Sequence, residues 1–180
     1  TKPASASGDG GQRAFQPSSI RNVVIRNNVF DISGRFSTAI KIQSGASCDG
    51  GSSNVTVANN SAWWSSGSNG DAMPAFEIAS GVTASKLVNN LVHYSVNHPG
   101  QASACNGSCT VSGANVRAPT NPFVASSPID PSAFRTKSGS AAAGVGLTRS
   151  EVPSDFSGTV RTAPYDVGAW RSAGAPPPPP

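Results

Sequence analysis

The chain has 180 residues, 13 Lys and Arg against 9 Asp and Glu, a formal charge of +4, and only 12% charged side chains, with 19 Gly and 15 Pro. So many breakers and so few charges argue against helices and for short strands joined by turns, and no apolar run is long enough to span a bilayer. There is also no basic stripe interleaved with stacking aromatics and no phosphate-binding Gly-Lys loop, which sets nucleic acid aside as a partner.

In chain order, residues 1–18 are small, polar and unpatterned, and no charged-then-apolar signal stretch opens them. Upstream coils are therefore expected, because an uncovered first coil would present strand edges that invite aggregation. Patterning starts at residue 19. Three strand-like runs end in an Asn pair: RNVVIRNNVF (21–30), SNVTVANNSA (53–62) and ASKLVNNLVH (84–93). The pairs Asn27-Asn28, Asn59-Asn60 and Asn89-Asn90 step by 59 − 27 = 32 and 89 − 59 = 30 residues, which marks a repeat. Val23, Val55 and Ser85 align, as do Ile25, Val57 and Leu87, so alternate residues point one way. A second series, AIKIQSG (39–45) against AFEIASG (75–81), keeps the same phase, so each repeat holds at least two strands.

Such a unit cannot bury its apolar face alone, but units stacked about 4.8 Å apart share one core and satisfy each other's backbone. The pattern predicts an all-β parallel β-helix of three to four coils over residues 19–118. Asn28, Asn60 and Asn90 then bond one above another as an amide ladder. Three unrelated Asn-rich hairpin turns would not also keep the second series in register.

Within the coils, Lys41 and Glu77 fill the same slot between apolar neighbours and project from one face, one coil apart. They read either as a stacked surface ion pair or as part of a substrate groove. The stretch Trp63-Trp64 through Asp71 reads as a small-residue loop. Either it folds over the side of the coil, or it offers one ring to sugar C–H groups while the other packs inward. Arg26, with Arg21 and Lys86, adds positive charge to the strand faces and suits an anionic partner. Cys105 and Cys109 flank a tight turn that can bring their sulfurs together, leaving Cys48 over. A metal site is the alternative, although there is no second Cys pair and His93 and His98 are the only histidines.

Residues 119–171 form a closing segment with Asn121-Pro122-Phe123, Phe134-Arg135, Gly139-Ser140-Ala141, and finally Asp155, Gly158, Arg161, Asp166, Gly168, Ala169 and Trp170. From the residues alone it is a cap: Asp155 and Arg161 pair across the turn that Gly158 permits, and Val167 and Trp170 cover the open end of the last coil. These motifs resemble the carboxyl end of bacterial right-handed parallel β-helix proteins of the pectate-lyase-like superfamily. Ala141 stands where a proline is usual, and Arg171 where an acidic residue follows the aromatic.

The resemblance implies a right-handed coil and a secreted or cell-surface protein that acts on or binds an acidic polysaccharide. In such lyases a basic residue abstracts the proton beside a uronate carboxylate that Ca²⁺ neutralises. Lys41 would be the base, Glu77 and Asp71 the metal ligands, and Trp63, Trp64 and Arg26 the substrate contacts. A non-catalytic adhesion or display module is the other reading. Hydrolysis by paired carboxylates is poorly served, since no adjacent Asp-Asp occurs. Residues 172–180 end in five prolines, a semi-rigid linker to a further domain or else a disordered tail, and the chain is expected to be monomeric.

Overall fold

The structure, a computed structural model, describes residues 12–15, 19–32, 36–44, 51–64, 74–94, 102–111, 114–125 and 130–172. Among them the chain winds through four coils of three short strands. The first coil is β1 (Gln12–Phe15), β2 (Arg21–Arg26) and β3 (Val29–Ile32), and the second is β4 (Phe36–Ile42), β5 (Ser53–Ala58) and β6 (Ser61–Trp64). The third is β7 (Phe76–Ile78), β8 (Ser85–Val88) and β9 (Leu91–Tyr94), and the fourth is β10 (Ser103–Cys105), β11 (Cys109–Val111) and β12 (Val116–Ala118). Equivalent strands stack into three sheets, β1-β4-β7-β10, β2-β5-β8-β11 and β3-β6-β9-β12, and every named strand pair is parallel. The architecture is that of an all-β parallel solenoid.

The repeat sets the register. Val23 lies on Val55 and Ile25 on Val57 in the second sheet, and Val57 on Leu87. In the first sheet Ile40, Lys41 and Ile42 lie on Phe76, Glu77 and Ile78. Because side chains alternate along a strand, Val55, Val57, Leu87, Ile40, Ile42, Phe76 and Ile78 point inward and are fully buried together with Val92 and Trp64.

Three features depart from the sequence expectation. Gln12–Phe15, read as unpatterned, pairs with β4 through its backbone, and four residues are too few to carry a visible side-chain period. The Asn pairs do not close the strand series: each turns the chain into a third strand, the VFDI, SAWW and LVHY of β3, β6 and β9. The fourth coil, within the three to four expected, carries at its turn the single Asn115 instead of a pair, at a shortened step of 115 − 90 = 25 residues.

The two members of each pair do different work. Asn27, Asn59 and Asn89 adopt left-handed φ of 56°, 52° and 55°, a conformation that Asn tolerates better than most residues. Asn28, Asn60 and Asn90 form the ladder. The Asn28 Nδ2 donates to Asn60 Oδ1 at 2.9 Å, Asn60 Nδ2 to Asn90 Oδ1 at 2.9 Å, and Asn90 Nδ2 to Asn115 Oδ1 at 2.9 Å. The backbone amides of Asn28, Asn60 and Asn90 donate to the same oxygens.

The closing segment is not an end cap. It lies along the flank of the solenoid, where Phe123, Phe134, Ala142, Val167, Ala169 and Trp170 pack on the outward side of the third sheet at Trp63, Leu91 and Ala118. The first Asn of each pair fastens it: Asn27 Nδ2 donates to Ser154 O (2.7 Å), Asn59 Nδ2 to Asp166 O (3.1 Å), and Asn89 Nδ2 to Leu147 O (2.7 Å). The approach is so close at Gly168 (φ 100°) that a Cβ there would sit 2.6 Å from Ser61 Oγ. At the last coil, Val111 of β11 remains 42% exposed although it aligns with the buried Leu87, so this end is not sealed by Val167 or Trp170.

Asp155 and Arg161 do not pair with each other. The Asp155 carboxylate accepts the amides of Ser157, Thr159 and Arg171, closing its own turn. Arg161, buried at 5% exposure, donates from its guanidinium to the carbonyls of Ser154, Asp166, Gly168 and Ala169 and to Asn27 Oδ1. A planar five-donor fork adds a further donor to carbonyls that Asn27, Asn59 and the Phe156 amide also reach, engaging more acceptors than one carboxylate contact could. Burial pulls its pKa down to about 10 against the Asp155 and Asp166 carboxylates, so it stays charged at neutral pH.

Candidate functional site

The best-defined cluster of titratable groups suggested by the repeat lies on the outward side of the first sheet. Register places Lys41 of β4 directly beside Glu77 of β7, and their Nζ and Oε1 atoms are 3.2 Å apart. The side chains are only 13% and 6% exposed, so the pair is not the solvated one that surface stacking would give. Glu77 Oε1 also accepts Asn106 Nδ2 at 3.1 Å, reaching up from the turn between β10 and β11. Glu77 Oε2 is buried and has no hydrogen-bond partner among the described residues. Ala39 and Ala75, two residues ahead of the pair in the chain, are fully buried and belong to the internal core cluster.

This geometry suits an internal ion pair better than a catalytic base. A base must reach the proton it takes, whereas Lys41 Nζ is already engaged by Glu77 Oε1 in a nearly covered pair. Glu77, one of the two expected Ca²⁺ ligands, is already engaged. A calcium site collects six to eight oxygens, but here one carboxylate already carries an ammonium and an amide donor. Among the described residues no three His, Cys, Asp or Glu side chains gather as a metal site. Asp71, Cys48, His98 and the proline run lie outside the described residues.

Trp63 and Trp64 sit in strand β6, not in a loop, because the repeat continues past the Asn turn. Alternation sends them to opposite sides. Trp64 points into the solenoid, with its ring centre 5.6 Å from that of Tyr94. Trp63 points outward beneath the closing segment, edge-on to His93 at 4.9 Å and 5.9 Å from Phe123. They are 4% and 2% exposed, so neither presents a face to a sugar. Arg26 is exposed on the outward side of the second sheet, in register with Ala58, and Lys86 is exposed on the same side in register with Thr56.

Cys105 and Cys109 are joined as a disulfide with their Cα atoms 6.0 Å apart, linking the end of β10 to the start of β11. Sequence reasoning missed Asn115 as a ladder member and Arg161 as the clasp of the closing segment. The signal for Arg161 was present, since an Arg set among the small residues that follow Asp155 needs acceptors, and the backbone supplies them. No family model, curated protein or solved structure matches this chain. No helix among the described residues is long and apolar enough to cross a membrane.

Proposed function

We propose that this chain is a non-catalytic, right-handed parallel β-solenoid module of a secreted or surface protein, a rigid scaffold used for display or adhesion. The observation that carries this reading is the low exposure of Lys41, Glu77, Trp63 and Trp64, four of the residues expected to serve a lyase. Lys41 is spent on Glu77, Trp64 on the core, and Trp63 on the closing segment. Right-handed coils follow the hand of parallel crossovers in general, and a disulfide suits an oxidising compartment. The resemblance of the closing motif to pectate-lyase-like proteins is compatible, because that superfamily includes surface proteins without activity.

A second reading rests on a separate observation. Arg26 and Lys86 stand exposed on the outward side of one sheet in a chain of formal charge +4, which favours retention of an acidic polysaccharide without turnover. The test offers alginate, polygalacturonate and chondroitin with and without Ca²⁺, following both retention and the ultraviolet absorbance of unsaturated uronate. The expected result is no absorbance rise, with any retention weakening as salt is added. Robust turnover that is lost in Lys41→Ala would overturn the scaffold reading. Retention lost in Arg26→Ala with Lys86→Ala would favour the glycan-holding version.

A further inference from the structure

The fourth coil is the weakest part of the stack in apolar anchors. Its strands β10 and β11 have three residues each and one neighbour each, and none of their residues is fully buried. Within the two strands only Cys109 packs against the internal core, from a partly buried position, with the small Ala102 just ahead of β10, while Val111 is exposed. By contrast β12 is tied twice, by the Asn90 to Asn115 bond and by Ala118 in the flank cluster. Beyond their ladders to β7 and β8, what holds β10 and β11 is the three-residue turn between them. Asn106 N donates to Ile78 O at 2.8 Å, Ser108 N to Val82 O at 3.0 Å, and Asn106 Nδ2 to Glu77. Gly107 lies so close to the third coil that a Cβ would meet Val82 O at 2.6 Å and Ala79 O at 2.7 Å. Cys105 and Cys109 are bonded across the turn.

We infer that the Cys105–Cys109 bond is a redox clasp: a dithiol that reduces it releases β10 and β11 from the third coil while β12 and the rest of the stack stay in place. Both cysteines are partly exposed and so open to attack. A thiolate of the dithiol attacks one cysteine sulfur, breaking the S–S bond and forming a mixed disulfide. Its second thiolate then displaces that cysteine, leaving two protein thiols and an oxidised dithiol, a two-electron and two-proton exchange. Freed of the covalent link, the loop regains rotational freedom that its few contacts do not offset. The released strands uncover the edges of β7 and β8, which then become open to addition of another strand.

Amide hydrogen exchange on the full chain, with and without dithiothreitol, tests this. Phe76 N donates to Ala102 O, so the amides of Phe76, Asn106 and Ser108 should exchange at least ten-fold faster after reduction. The amides of Val116 and Leu91, bonded to Asn90 O and Asn60 O, should not change. A Cys105→Ser, Cys109→Ser variant should exchange like the reduced protein and show no further response to dithiothreitol. Unchanged protection at Asn106 and Ser108, loss of protection in all coils together, or a continued response of the double variant would each overturn the clasp.

Discussion

Asn60 and Asn28 occupy equivalent places in the ladder but differ in what surrounds them, and the difference sets their worth. Asn60 is fully buried, its Oδ1 accepts two donors from Asn28, and its Nδ2 reaches Ile25 O, Ala58 O and Asn90 Oδ1. Replacing it with Leu strands several of these groups, each costing about 1–3 kcal/mol when buried, whereas Asn28→Leu at an exposed end should cost well under half as much. Urea midpoints of the two variants check this, and equal losses would remove the ladder as a source of stability. Ala84 makes the opposite case. It holds φ 51° where the equivalent Asn22 and Asn54 hold 54° and 51°, a left-handed conformation that costs a residue with a Cβ roughly 1–2 kcal/mol. Ala84→Gly should therefore raise stability by about 0.5–1 kcal/mol, read as a higher melting temperature, because relief of strain outweighs the added freedom of the unfolded chain.

At the scale of the element, the repeat was readable because stacked strands force like residues onto like residues. Ile25 over Val57 and Lys41 over Glu77 follow from spacing alone. The environment of those elements was not readable. Whether Lys41 faces water depends on what reaches over the pair, as Asn106 does from the turn after β10, and no period in β4 encodes that. Trp63 was misread for the same reason: SAWW carries no alternation of polar and apolar residues, since both sides of β6 are buried, one by the core and one by the closing segment. The buried setting makes a sharp prediction for the ion pair. Lys41→Met leaves the Glu77 carboxylate uncompensated and should cost about 3–5 kcal/mol, while Lys41→Met with Glu77→Leu should fall close to the parent. Thermal unfolding of both variants measures it. A small effect of the single change would mean that solvent reaches Glu77 and would reopen this face as a groove.

Across the whole molecule, the closing segment changes what kind of solenoid this is. A bare stack has only neighbour-to-neighbour contacts, so its coils can fray from either end. Here Ser154, Asp166 and Leu147 are fastened to Asn27, Asn59 and Asn89 in three successive coils, and Arg161 bridges Asn27 of the first coil to the carbonyls of Gly168 and Ala169. That strap makes loss of one coil expensive for the others, so the first three coils and the strap should unfold as one cooperative unit. Trp63 reports the strap side and Trp64 the core side of the same strand. A chain keeping only Trp63 and another keeping only Trp64, with the remaining tryptophans changed to Phe, should therefore give coincident fluorescence midpoints in urea. Arg161→Ala removes five hydrogen bonds from the strap and leaves Asn27 Oδ1 without its donor, so it should uncouple the two probes, with Trp63 reporting the earlier transition and Arg161→Lys restoring part of the coincidence. Separate midpoints in the parent chain, or unchanged coincidence in Arg161→Ala, would mean that the flank packing is held by its apolar contacts alone and that the buried guanidinium adds nothing to the coupling.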